Sequence, residues 1–125
     1  MSAARSERIA AETEPLPAAV FDEVHFVRQT FGDPDLQQEI IELFFAQIKD
    51  AKRAFTSPMT TTAWRFLTHT LKGAASSIGA LRIAQLAGAW ELSGSPQEAS
   101  RGQAIVEQFL QEADAFCAQT RRYLR

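Results

Sequence analysis

The sequence predicts an all-α fold, an antiparallel four-helix bundle with an additional short helix at its N-terminal end. Apolar residues recur at three- and four-residue spacing through every long segment. No strand-like alternation competes with that period, and proline- or glycine-bearing breaks cut the chain into helix-length pieces. Amphipathic helices joined by short connections bury their stripes against one another, and that is a bundle.

Residues 1–17 come first, a polar tail expected to be disordered, with Arg5, Glu7, Arg8, Glu12 and Glu14 ahead of Pro15 and Pro17. It has no apolar stretch of the kind a signal peptide needs. The bundle domain is assigned to residues 18–125. A short helix is predicted over 21–30, with Phe21, Val24 and Val27 or Arg28 on one side. Gly32-Asp33-Pro34 then ends one helix and opens the next, because aspartate caps an N-terminus and proline suits the first helical position. The second helix covers 35–55. Leu36, Ile40, Leu43, Phe44, Gln47 and Ala51 form one stripe on it, and Ile41, Phe45 and Ile48 a second beside the first.

Ser57-Pro58 breaks that helix, since proline cannot donate to the ladder. Thr60, Thr61 and Thr62 offer a cap for the third helix, which carries Trp64, Leu67, Leu71, Ala74 and Ile78 and ends at Gly79. A fourth helix is predicted over 81–92, followed by a break at Ser93-Gly94-Ser95-Pro96. The fifth, over 97–123, carries Ile105, Val106, Phe109, Leu110, Ala113, Phe116 and Cys117.

Bulk composition excludes several functions. The chain has 125 residues, 46% hydrophobic and 22% charged, with a net charge of −2. That describes one ordinary globular domain without the basic field that nucleic acid requires. Arg121, Arg122 and Arg125 around Tyr123 suit the negative end of a helix dipole instead. No stretch is long and apolar enough to span a membrane. The single cysteine, Cys117, permits no internal disulfide, reads as a small buried hydrophobe, and fits a reducing, cytoplasmic compartment. His25 and His69 are the only histidines, too few for a metal site, so none is expected.

The informative stretch is His69-Thr70-Leu71-Lys72-Gly73-Ala74-Ala75-Ser76-Ser77-Ile78-Gly79-Ala80. Positions i, i+3 and i+4 share one helical face, so Lys72 and Gly73 flank His69. His69 falls off the apolar stripe, which speaks against a core histidine. A glycine inside a helix costs about 1 kcal/mol relative to alanine, so Gly73 asks for a reason. Clearance for a phosphoryl group and an approaching partner supplies one. Lys72 would offset the charge of a phosphohistidine, and Ser76 would donate to a phosphoryl oxygen. A neutral imidazole needs no separate base, because its free nitrogen is already nucleophilic near neutral pH. His69 therefore reads as a phosphoryl acceptor. Arg65 lies one turn before it. On the fourth helix Ala84, Ala87, Gly88 and Glu91 share a seam. Glu91 has three readings: a partner for Lys72, an acceptor for the far nitrogen of His69, or a plain surface charge.

These residues resemble the histidine-containing phosphotransfer (HPt) domain of multistep two-component phosphorelays, whose signature reads His-x-Leu-Lys-Gly, then small residues, then Gly-Ala. Gly32-Asp33-Pro34-Asp35-Leu36 and Glu42-Leu43-Phe44 extend the likeness, which covers residues 18–125. The resemblance implies a phosphoryl carrier rather than an enzyme. His69 would take the group from a receiver-domain aspartyl phosphate, supplied by a hybrid histidine kinase, and pass it to a response-regulator receiver aspartate. It implies no cofactor of the chain's own, with magnesium held by the receiver. Lys72 becomes the charge partner and Gly73 the clearance residue. Glu91 occupies the position where many relatives hold the imidazole with glutamine; a carboxylate there holds an N–H well but repels a phosphoryl group. The expected docking surface comprises Arg65, Phe66, Ile41, Phe45 and Ile48, although the second stripe is equally explained by burial between helices. A monomer is expected, since the active face must stay open. Two alternatives remain: an acceptor phosphorylated directly by a separate chemotaxis-type histidine kinase, and a receiver-binding module that transfers nothing.

Overall fold

Side-chain caps set the helix starts, at Asp33 and Thr60 where the sequence places them and at Asp22 inside the helix expected over 21–30. In the computed structural model, which describes residues 15–93 and 99–124, Asp22 accepts from the His25 N–H at 3.1 Å and opens α1, Glu23–Gln29. Asp33 accepts from the Asp35 and Leu36 N–H groups at 3.0 and 3.5 Å, with proline at the first position of α2, Pro34–Phe55. Thr60 accepts from the Ala63 N–H at 3.1 Å and opens α3, Thr61–Ile78. Each cap satisfies an N–H that the helix itself cannot pair. Then come α4, Leu81–Ser93, and α5, Ala99–Thr120, which tightens into a 3₁₀ turn at Arg121–Tyr123. Residues 1–14 of the expected tail, and Gly94, Ser95 and Pro96 of the expected break, lie outside the described residues. Leu16 packs against the core, so the packed chain starts before Ala18.

The described residues form five α-helices and no strand, an all-helical bundle. α2 packs on α3 and α5, and α4 packs on the same two helices, so the core lies inside a closed ring of four. α1 rests on α3. Two aromatic clusters fill the interior. Phe21, Phe26, Phe44, Phe116 and Tyr123 form one, with ring centroids 4.9–6.2 Å apart. Phe55, Trp64, Trp90 and Phe109 form the other, with centroids 5.2–6.2 Å apart. Between Phe44 and Phe55 the α2 axis rises about 16 Å, so the clusters occupy separate levels.

The core stripe of α2 is Gln37, Ile41, Phe44, Ile48, Ala51 and Phe55. This corrects the expected docking surface: Ile41 and Ile48 are 0% and 3% exposed and offer a partner nothing. Phe45 is half-buried, on the flank of α2 opposite Ile40 and Leu43. Two adjacent apolar rows have the same period, so only the flanking helices α3 and α5 decide which row turns inward. On α3, Trp64, Leu71 and Ile78 are buried as expected, while Thr68 and Ala75 take the places given to Leu67 and Ala74. Thr68 is tolerated there because its hydroxyl donates to the Trp64 carbonyl at 2.8 Å.

The turn from α3 to α4 is tied to the segment before α1. The Asp22 N–H donates to the Gly79 carbonyl at 2.8 Å, and the Leu81 N–H to the Val20 carbonyl at 3.1 Å. Gly79 has φ +84°, and a Cβ there would sit 2.8 Å from the Asp22 carbonyl oxygen. Gly79→Ala is therefore expected to cost about 2 kcal/mol, from left-handed backbone and a backbone contact that cannot yield. Urea denaturation measures it, and an unchanged midpoint would contradict the stated geometry.

Between α4 and α5, Glu112 is buried and meets Arg82 twice, with Nη2 to Oε1 at 3.0 Å and Nε to Oε2 at 2.8 Å. A buried carboxylate is admissible only with such a partner. Cys117 is half-buried, and burial pushes its thiol up, keeping it protonated at neutral pH.

Candidate functional site

His69 stands near the middle of α3, turned away from the core, with its side chain 76% exposed. Its Nδ1 lies 2.7 Å from Oε2 of Glu91 on α4. An ionised carboxylate can only accept, so that contact requires a proton on Nδ1. In the neutral ring the lone pair is then on Nε2, the nitrogen left open. The carboxylate thus selects the tautomer and the orientation of the imidazole together.

The same carboxylate reaches a second cation. Glu91 Oε1 is 3.9 Å from Lys72 Nζ, with the Glu91 side chain 25% exposed. The Lys72 charge sits beside His69 and offsets the negative field that Glu91 alone would set up there. Of the three sequence readings for Glu91, two hold at once.

Gly73 is exposed, and a Cβ at that position would meet nothing within 4 Å. Packing gives no reason for the glycine. What its missing side chain does is lower the helix surface beside the imidazole. Gly88 is different. A Cβ there would lie 3.6 and 3.7 Å from Cδ and Cε of Lys72, so the stem of the lysine runs over this glycine. Sequence reasoning took Gly88 only as part of a close-packing seam. Its spacing, one turn before Glu91, was the available signal that it serves the site as well.

The other expected residues are distributed unevenly. Arg65 is exposed one turn before His69, and Phe66 is 74% exposed on the outer face of α3. Ser76 is exposed, but seven residues of helix put it about 10 Å further along the axis than His69. Side chains lean toward the helix N-terminus, so Ser76 stands at the rim of the site rather than over the imidazole.

Alongside the C-terminal half of α3 runs a groove of about 410 Å³, lined by Phe26, Gln29, Ile40, Leu43, Gln47 and Ala74 among others. Leu43 is 61% exposed at its edge. These α2 residues flank the buried stripe on the α3 side, where Ile41, Phe45 and Ile48 had been expected. His25 lies outside the groove lining: its Nε2 donates to the Ser77 carbonyl at 3.0 Å, tying α1 to the last turn of α3. That is a structural role. Among the described residues no cluster of three or more His, Cys, Asp or Glu is placed to hold a metal, and no helix is long and apolar enough to cross a membrane.

The all-helical scaffold thus presents one exposed histidine, its Nδ1 held by a carboxylate, with a lysine and a glycine on the same helical face. Residues 35–119 match the family model of the Hpt domain, and the chain belongs to that family. Hpt domains are histidine phosphotransfer modules of phosphorelays, carriers rather than enzymes in their own right. They work with receiver domains and kinases. No curated protein and no solved structure matches the chain significantly.

Proposed function

We propose that this domain is a relay intermediate in which His69 accepts a phosphoryl group from a receiver-domain aspartyl phosphate and donates it to a second receiver aspartate. The single observation that supports this most is the 2.7 Å contact between Nδ1 of His69 and Glu91 on an otherwise exposed ring. In the first step the Nε2 lone pair forms a bond to phosphorus, the acyl O–P bond breaks, and the aspartate leaves as a carboxylate. The Nδ1 proton stays, shared with Glu91, whose charge balances the positive charge developing on the ring. In the return step the leaving group is a neutral imidazole that still carries that proton. Both bonds are labile, so transfer runs in either direction. Lys72 neutralises phosphoryl oxygens, and Gly73 gives them and the partner room.

The bundle contributes positioning, and the receiver contributes the magnesium and the acyl phosphate. In this reading the four longer helices run antiparallel, α1 covers one end, and the domain works as a cytoplasmic monomer fed by a hybrid kinase. The receiver docks over Phe66 and Arg65 and along the edge of the groove at Ile40, Leu43 and Gln47, with Ser76 at the rim. Exposed apolar side chains next to a reactive group are what a transient partner covers.

The test is single-turnover transfer of labelled phosphate from a panel of phosphorylated receiver domains to this protein. Rapid appearance of acid-labile, base-stable label on the bundle supports the relay. Label appearing only with a chemotaxis-type kinase and ATP would move the assignment to a direct kinase acceptor. Leu43→Glu is expected to weaken receiver docking about tenfold, read as a higher half-saturating receiver concentration with an unchanged rate at saturation. An unchanged half-saturation would remove the groove edge from the docking surface.

A further inference from the structure

On α4, Ala84 and Gly88 face Lys72 of α3, and Ala87 is buried beside them. Small side chains permit close approach but offer few ridges to interlock, so such a seam specifies axial register only weakly. His69 and Glu91 nevertheless meet at 2.7 Å across it. A slip of one residue along the axis would move Glu91 by about 1.5 Å and swing it around the helix by about a quarter turn. The short Gly79-Ala80 connection fixes the register at one end of the pair, but His69 and Glu91 lie about three turns away from it, where a second tie is needed.

The fully buried Trp64 of α3 donates from Nε1 to the backbone carbonyl of Trp90 on α4 at 2.9 Å. Trp90 immediately precedes Glu91, and Trp64 lies five residues before His69. The bond thus joins the same two helices as the His69–Glu91 contact, one peptide away from Glu91. Trp90 is in the last turn of α4, where carbonyls run short of helical N–H partners and are open to outside donors. The Ser93 hydroxyl also donates to this carbonyl, at 2.8 Å, from within α4. Phe55 packs 5.5 Å from both tryptophan rings, so the indole has little freedom to turn.

We propose that Trp64 is a positioning residue for phosphotransfer. Its indole N–H sets the register of α4 against α3, and this places the Glu91 carboxylate on Nδ1 of His69 and leaves Nε2 as the nucleophile. The proposal rests on the role given to Glu91 above. Trp64 acts through Glu91 and touches none of the reacting atoms.

The decisive variant replaces Trp64 with 3-benzothienylalanine, which keeps the bicyclic shape and puts sulfur where the N–H was; Trp64→Phe is its genetically simple companion. Three quantities are read on the full chain: thermal unfolding, the tautomer of His69 from long-range proton–nitrogen correlations of the ring, and the transfer rate at saturating phosphorylated receiver. The sulfur analogue is expected to fold, to lose part of its Nδ1–H population, and to transfer about tenfold more slowly with unchanged receiver affinity. A lower unfolding temperature with wild-type tautomer and rate would overturn the proposal and leave Trp64 as core packing alone. Glu91→Ala in the same measurements separates the two layers. If it shifts tautomer and rate while the analogue shifts neither, only the register role fails. If it too shifts neither, the reading of Glu91 fails and takes the Trp64 proposal with it.

Discussion

Replacing His69 with alanine is expected to abolish acid-labile phosphorylation of the domain while leaving its thermal unfolding almost unchanged. The side chain is 76% exposed, and its hydrogen-bonding partner is the Glu91 carboxylate. Little packing is lost, and Glu91 is left with Lys72. Surface substitutions of this kind stay within about 0.5 kcal/mol. Loss of transfer therefore cannot be ascribed to unfolding. His25 provides the internal control. It is half-buried with its Nε2 donating to the Ser77 carbonyl, and it is expected to stay unlabelled. Residual label on the His69→Ala protein at the wild-type rate would place the phosphoryl group elsewhere and end the relay assignment.

The second large effect belongs to Glu91. Glu91→Ala removes the acceptor that holds Nδ1–H and is expected to slow transfer by about 10- to 100-fold, the usual cost of losing a group that orients a reactive imidazole. Glu91→Gln retains a carbonyl oxygen at the same reach, so the tautomer is kept. Its rate is expected within about threefold of wild type, because orientation and not charge is the larger contribution. The comparison is made as first-order transfer rates at saturating receiver. Equal rates for alanine, glutamine and wild type would reduce Glu91 to a solvated charge. A glutamine variant as slow as alanine would show that the negative charge opposite the ring is the essential part.

The helices were legible because their ends are written in local chemistry. Asp33 before Pro34, Thr60 before Thr61, and Gly79 after Ile78 are interactions within a few residues of chain, and each sits where the spacing puts it. The histidine motif was legible for a similar reason. His69, Lys72 and Gly73 share one face of one helix, and 3.6 residues per turn makes their proximity a property of the sequence itself.

Choices among equivalent rows were not legible. α2 carries adjacent apolar rows of identical period, and the choice of Ile41 and Ile48 for the interior over Leu43 follows from where α3 and α5 lie. The docking edge proposed above accordingly uses Ile40, Leu43 and Gln47 in place of Ile41, Phe45 and Ile48. Thr68 entered the core stripe in place of Leu67 because a buried hydroxyl can bond back to its own helix. Glu91 had three open readings in one dimension. Its spacing from His69 carries no distance information until two helices pack.

By itself, then, the sequence determined the all-helical architecture, the caps that open α2 and α3 with the glycine that ends α3, and the histidine face of α3. Tertiary structure alone decided which apolar row is core, that Glu91 bridges His69 and Lys72, that Gly88 seats the lysine stem, and that Trp64 reaches the Trp90 carbonyl. The division has a physical basis. Caps and helical faces come from interactions spanning a few residues, whose geometry the backbone supplies. Contacts between side chains some 20 residues apart, on two different helices, depend on register and rotation, and those are settled only when the whole core packs.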